Sequence, residues 1–415
     1  MNLNIPPMKR ILFLTLLFGF LFQQGIACTT AIISGKYTKD GRPMMWKVRD
    51  SDYAKNSLMY FNDGRYSYVG LINSEDAEGK QIWGGSNSAG FSIMNSASFN
   101  VNLGDTTSKK DLEGYFMRKA LQSCATLEEF EELLRNNPKP MGLAAHFGVI
   151  DAKGGAAFYE VNNYTFTKFD ANDPAVAPNG YVLRTNFSFT GKKDIGYGFV
   201  RYQTAQELLF DADGKGSLDY QTLIQKLSRC FRNPIINRNY RTEYEKIPAG
   251  DYFVSSDDLI TRNGTTSAII VHGVKPNESP ELTTIWTMVG FPNTCIALPT
   301  WVKGGQNLPK MLTRDSSIGN SPLNQLALQL MEQCYPIKRS GGDRYLQISK
   351  LINLEKTGYV QKIEQVENDI FRKTEENLKA WRTKKVDEKD MVLFYQWLDN
   401  LVQKTYTTEF GVTEK

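Results

Sequence analysis

Histidine is the scarcest chemistry-bearing residue in this 415-residue chain, where only His146 and His272 occur. Zinc sites built on HExxH or on several imidazoles are therefore excluded. A Ser-His-Asp or Cys-His arrangement would have to use one of these two residues. His146 sits in Leu143–Val149, which reads as a half-buried strand, and His272 ends another strand, so both read as structural. Nucleotide motifs are missing too: no GxGxxG follows a strand and there is no Walker A pattern. Basic runs do not exceed short pairs. The formal net charge of +4 counts Lys9 and Arg10, which fall in a segment expected to be removed. The remainder is close to neutral, which argues against nucleic acid as a partner.

Cysteine is sparse and unpatterned. Cys28, Cys124, Cys230, Cys295 and Cys334 form no CxxC and no dense framework. An odd number in an exported protein leaves at least one thiol free. Long apolar runs are absent except at the start, where Lys9 and Arg10 precede Ile11–Phe22, followed by Gln23, Gln24, Gly25, Ile26 and Ala27. A basic head, about a dozen apolar residues and a small-residue exit predict a secretory signal peptide over 1–27. The run is too short to favour a stable membrane span. Asp211–Asp219 has some of the acidic residues of a calcium loop but lacks the acidic ligand in register and the terminal Glu. It reads as a polar turn capping the next helix.

What is present is globular. Hydrophobic residues make up 41% and charged residues 23%, which excludes a disordered or fibrous chain. Strands are predicted at 29–34, 43–48, 66–72, 81–84, 90–95, 144–150, 156–161, 181–184, 266–272, 283–288 and 294–298, from β-branched and apolar runs bounded by turn residues. Lys110–Leu134 reads as helical, with Thr126–Glu129 resembling a capping box that restarts the helix. Further helices are predicted at 198–210 and 217–230. From about Pro322 glycine nearly disappears and long helical patterns take over, chiefly 361–384 and 389–404. That segment is either a helical appendage packed on the sheets or a small extra domain. Strands in two sets with helices between them predict a layered α+β protein, not a Rossmann type.

A cysteine exposed as first mature residue supplies a nucleophile without histidine. Its α-amine has a reference pKa near 7.7–8.0 and can serve as base near neutral pH. The same position is also that of a lipobox cysteine, although Gly25 stands where Leu is expected. A lipidated Cys28 would have neither a free amine nor a thiol.

Cys28-Thr29-Thr30 resembles the Cys-Thr start of the choloylglycine hydrolase and penicillin (isopenicillin N) acyltransferase group of N-terminal-nucleophile hydrolases. Trp46–Asp50 resembles the group's Gly-Arg-Asn-x-Asp strand, with Lys47 in the arginine's place and Asp50 in the aspartate's. Gly85–Ser96 resembles its Gly-x-Asn segment and puts an oxyanion asparagine at Asn95. Asp151–Glu160 resembles its Asp-x-x-Gly…Glu hairpin, Leu183–Asn186 its Thr-Asn signature, giving Asn186, and Gly198–Tyr202 a helix start, giving Arg201. Thr287–Pro292 and Cys295–Pro299 fit a late hairpin. The resemblance covers roughly residues 28–300.

It implies a four-layer αββα sandwich with Cys28 at the edge of one sheet. It implies a catalytic domain over 28–320 and a helical extension over 321–415. It also implies hydrolysis of a linear amide by Cys28, Lys47, Asp50, Asn95, Asn186 and Arg201 without a cofactor or metal. Its partners would be a small N-acyl amide, a signal peptidase and, since members are often dimeric or tetrameric, further copies of the chain. The location would be periplasmic or extracellular, lipid-anchored if Cys28 is a lipobox cysteine. Acyl transfer to an amine and a cysteine-terminal dipeptidase are the rival activities. Lys47 keeps the charge but loses the planar fork. Arg49 can partly compensate, though it is expected on the opposite strand face.

Overall fold

The computed structural model describes residues 27–214, 216, 218–384 and 386–414. The signal peptide expected over 1–27 lies outside the described residues except for Ala27.

Two antiparallel sheets stack face to face. Sheet I has the strand order Tyr181–Arg184, Thr29–Ile33, Met44–Asp50, Thr265–His272, Thr284–Met288, Leu298–Thr300. Sheet II runs in chain order through Asn56–Phe61, Tyr68–Asn73, Gly84–Asn87, Ser92–Ala97, Ala145–Ile150, Ala156–Val161 and Phe166–Asp170. Central strands are covered on both faces, so they lack the apolar/polar alternation of half-exposed strands. Every residue of Met44–Asp50 is buried, including Lys47, Arg49 and Asp50. The sheets approach closely at Gly84, where a Cβ would lie 3.3 Å from the Ile269 side chain.

Helices cover both outer faces. On sheet II, Glu113–Ser123 and Leu127–Asn136 pack an aromatic layer in which Phe130 meets Phe147 and Tyr159, with ring centroids 6.0 and 5.1 Å away. Thr126 caps the second helix by accepting from the Glu129 amide at 3.3 Å, while the Glu129 carboxylate accepts from Ala125 N–H. On sheet I lie Phe199–Gly214, a short helix from Tyr220 that passes into a π turn over Leu223–Leu227, and two long helices, Tyr359–Thr383 and Glu388–Phe410. Trp286 is stacked on Tyr220 at 5.0 Å and met edge-on by Phe371 at 5.2 Å, and Trp301 is met edge-on by Trp381 at 5.0 Å. The architecture is an αββα sandwich with a C-terminal helical extension.

Several boundaries differ from expectation. The helix expected from Ser217 starts at Tyr220, because Asp219 accepts from Thr222 N–H at 2.8 Å and caps it there. The strand expected at 294–298 falls at Leu298–Thr300, and the one expected at 81–84 at Gly84–Asn87. Asn56–Phe61 and Phe166–Asp170, the two outer strands of sheet II, had not been anticipated. All five cysteines are free thiols.

Candidate active site

Cys28 is buried at the head of Thr29–Ile33, a strand second from the side of sheet I, because Tyr181–Arg184 pairs outside it. Thr29 pairs with Val48 and Thr30 with Lys47, so one further step of the register sets Cys28 across from Arg49. Side chains two apart on a strand share a face. Thr30, Lys47 and Arg49 therefore point into the space between the sheets. Lys47 Nζ donates to Asn95 Oδ1 at 2.8 Å and to the Trp83 carbonyl at 2.6 Å, both on the sheet II side. The expectation that Arg49 turns to the opposite face is thus corrected. Its guanidinium lies 4.8 Å from the Trp83 ring centroid and donates to Asn56 Oδ1 at 2.8 Å and Asn73 Oδ1 at 2.9 Å.

The other face of the thiol's strand is served by Arg201. Its Nη1 donates to the Cys28 carbonyl at 2.7 Å and to Thr29 Oγ1 at 2.8 Å, and its Nη2 donates to Asn186 Oδ1 at 2.9 Å. Gly198, at φ +86°, opens the helix that carries Arg201. A Cβ there would collide with the guanidinium as it folds back toward the strand. Asn186 Nδ2 in turn donates to the Ala97 carbonyl at 3.0 Å, two residues beyond Asn95.

Both asparagines therefore have Oδ1 occupied by a cation. An amide whose oxygen is held by an ammonium or guanidinium must turn its NH2 the other way. At Asn95 this leaves Nδ2 as the outward donor. Asp50 accepts from Thr265 Oγ1 at 2.6 Å and pairs with Arg262 Nη2 at 2.6 Å.

Electrostatics follow from burial. Desolvation brings the Lys47 ammonium down to about 7; a thiolate at Cys28 opposes this and Arg49 reinforces it. Burial likewise lowers Arg49 to about 10 against the pull of Cys28 and Asp50. Arg201 falls to about 10 through burial and the nearby Arg262, against Asp50 and Cys28. Arginines at that level remain charged at neutral pH.

Both histidines are engaged by other side chains. His146 is fully buried, with Nδ1 2.8 Å from Ser96 Oγ and Nε2 2.9 Å from Ser188 Oγ. Burial, aided by Arg184 and opposed by Glu160, brings it down to about 3 and keeps it neutral. His272 Nε2 lies 2.9 Å from Asp40 Oδ2 on the sheet's far strand end. Sequence reasoning gave no role to Thr29, Trp83, Arg262 and Thr265; of these only Thr29 carried a signal, its place beside Cys28 in the Cys-Thr start.

No protein-family model matches the chain, and no curated protein matches it. Among solved structures it is similar to a Caenorhabditis elegans ortholog of N-acylethanolamine-hydrolyzing acid amidase, at 15% identity over 61% of this chain and 94% of that one, with a TM-score of 0.41. A variant of the conjugated bile acid hydrolase from Clostridium perfringens is similar at 14% identity over 66% and 92% of the two chains, TM-score 0.38. The penicillin V acylase of Agrobacterium tumefaciens is similar at 12% identity over 66% and 86%, TM-score 0.34. Likenesses this distant leave the site's own geometry to carry the functional argument.

Proposed function

We propose that the protein hydrolyses a linear amide C–N bond, with Cys28 as the nucleophile and an N-acyl amide or N-acyl amino acid as the substrate. The observation that carries this is the convergence on Cys28: Arg201 joins its carbonyl to Asn186, and Lys47, on the thiol's own face, orients Asn95. A thiol flanked by cations and by amide donors fits acyl transfer through an oxyanion.

The proposed chemistry needs export and cleavage before Cys28, which frees the α-amine. That amine takes the Sγ proton. The thiolate attacks the amide carbon, forming the S–C bond, and the oxyanion is met by Asn95 and Asn186. The C–N bond then breaks as the ammonium returns its proton to the leaving nitrogen. Water, deprotonated by the same amine, attacks the thioester and releases the acid and the free thiol. Arg201 fixes the strand end, and Asp50 is held by Arg262 and Thr265.

The test joins mass and activity. Intact mass of the exported protein should show an unmodified chain starting at Cys28. Free amine should appear from a panel of N-acyl amino acids, bile conjugates and penicillin V, and Cys28→Ala should abolish its release. A diacylglycerol adduct on Cys28, or full activity in Cys28→Ala, would sink the proposal. Repeating the assay with added amine acceptors separates hydrolysis from acyl transfer.

A further inference from the structure

We propose that Glu160 is a positioning residue for Asn186: its carboxylate, reaching over from sheet II, ties down the chain on both sides of that asparagine and so fixes where the amide stands beside Cys28. This deepens the proposed function and rests on Asn186 meeting the oxyanion there. Three observations carry it. First, Asn186 lies just past the end of the strand Tyr181–Arg184, and the chain then runs without helix or strand to Phe199, with one bridge from Asn186 to Tyr197. A residue so placed needs ties from outside its own segment to keep a fixed position. Second, Glu160 supplies them. Its Oε1 accepts from Arg184 Nε at 2.7 Å, two residues before Asn186, and from Phe189 N–H at 2.9 Å, three residues after it. Its Oε2 accepts from Thr190 N–H at 2.8 Å and Thr190 Oγ1 at 2.6 Å. Third, the same clasp reaches the nucleophile's strand. Arg184 pairs in register with Thr30, two residues after Cys28, and its carbonyl accepts from Thr30 Oγ1 at 2.9 Å.

The clasp depends on Glu160 being a carboxylate. Glu160 and Arg184 are both buried, and the Arg184 guanidinium lies against the Phe169 and Phe189 rings at 4.4 and 4.5 Å. Burial pushes the Glu160 carboxyl up, but Arg184 and the Thr190 donors more than offset it, so the group stays ionised. An ionised carboxylate accepts at both oxygens, whereas a carboxamide would turn an NH2 toward one set of these donors. Ser188, inside the segment, is tied separately: its N–H donates to Asn100 Oδ1 at 2.7 Å, and its Oγ lies 2.9 Å from His146 Nε2. The segment thus keeps anchors when Glu160 is changed, and the loss is displacement of Asn186 rather than unfolding.

Two reagents separate positioning from packing without a native substrate. p-Nitrophenyl acetate acylates a thiolate through a tetrahedral oxyanion: the S–C bond forms and p-nitrophenolate leaves with the electron pair of the broken C–O bond. Iodoacetamide alkylates the same sulfur by displacing iodide, with no oxyanion. The full chain is expressed with export, its N-terminus is established by intact mass, and both rates at Cys28 are followed by peptide mapping. A misplacement of about 1 Å costs on the order of 10²-fold. Glu160→Gln should therefore slow acetylation at least about tenfold and leave alkylation within about twofold. On top of Asn186→Ala it should add little, because the two changes remove the same interaction. Thr190→Ala should slow acetylation about twofold or more, and Thr190→Ser should restore it. Equal slowing of both reactions makes the role one of packing and overturns the proposal. So does wild-type acetylation in folded Glu160→Gln, or a full further loss on top of Asn186→Ala. If Glu160→Gln does not fold, the Thr190 pair decides alone: slowed acetylation in Thr190→Ala with unchanged alkylation supports the clasp, and wild-type acetylation refutes it. A wild-type Cys28 that is never acetylated sinks the hydrolase reading and this inference with it, whereas normal wild-type acetylation that Glu160→Gln leaves untouched sinks the inference alone.

Discussion

At Asn95 a single hydrogen bond decides what the side chain can do. With Lys47 donating to Oδ1, the amide NH2 is presented as a donor; without it, the amide is free to flip. Asn95→Ala should lower kcat by about 10²–10³ with little change in KM, the loss of about 2.7–4 kcal/mol seen when one oxyanion donor is removed. Steady-state kinetics on the best substrate checks it, and a change confined to KM would assign Asn95 to substrate binding instead. Lys47 adds a pH signature. Its ammonium titrates near 7, so kcat/KM should decline as pH rises past that point, and Lys47→Arg should carry activity to higher pH. An identical alkaline limb in both proteins would remove Lys47 from the reaction. The linkage sign gives a second check: the folded value of about 7 lies below the ordinary 10.5. The cost of burying the charge is thus fully present below pH 7 and fades toward 10.5. Stability should rise with pH across that window, and Lys47→Met should flatten the rise in denaturant titrations. The placement of these residues was partly legible: motif order singled out Lys47 and Asn95, which are in contact, and Asn186 and Arg201, which are in contact. Arg262 and Thr265 were not legible, because they reach Asp50 from the start of the neighbouring strand and the turn before it, more than 200 residues away in sequence.

Among the elements, strands with two covered faces were easy to find, since Val, Ile, Met and Phe runs have no other use at that length. The two outer strands of sheet II were not. Asn56–Phe61 begins with polar residues whose partners are long-range, and Phe166–Asp170 is partly exposed throughout, so each is defined by pairing with its neighbour. The helix Tyr359–Thr383 shows a different gap. Its amphipathic period was evident, yet it carries Glu367 on its buried face. There Glu367 meets Arg229 in a fully buried two-point ion pair at 2.6 and 2.7 Å and also accepts from Ala297 N–H at 2.8 Å. Arg229 also donates to the Pro292 and Cys295 carbonyls. Breaking such a pair strands a buried guanidinium, so Glu367→Ala should cost about 3–5 kcal/mol. A loss under about 1 kcal/mol in urea titration would mean that water reaches the pair.

For the whole molecule, the question is whether the C-terminal helices are an appendage or part of the sandwich. The sequence left both open. Ile363, Ile370, Phe371, Trp381, Phe394 and Leu398 belong to the same buried cluster as the strands of sheet I. Burying a large apolar side chain is worth about 1.5–3 kcal/mol. A handful of these residues therefore matches the net stability of about 5–15 kcal/mol that a typical domain has in total. Without the helices, Trp286 and Trp301 would face water across much of sheet I, including the strand that pairs with the Thr265–His272 neighbour of the Lys47 strand. Ending the chain after Asn320 should thus abolish cooperative folding, not merely trim an accessory. The expected result is loss of near-UV circular dichroism and gain of dye-binding apolar surface. A truncated chain that unfolds cooperatively near the full-length midpoint would show the helices to be a separate domain. The site depends on the same answer: Lys47 and Arg49 are buried between the sheets and stay so only while sheet I remains folded against sheet II.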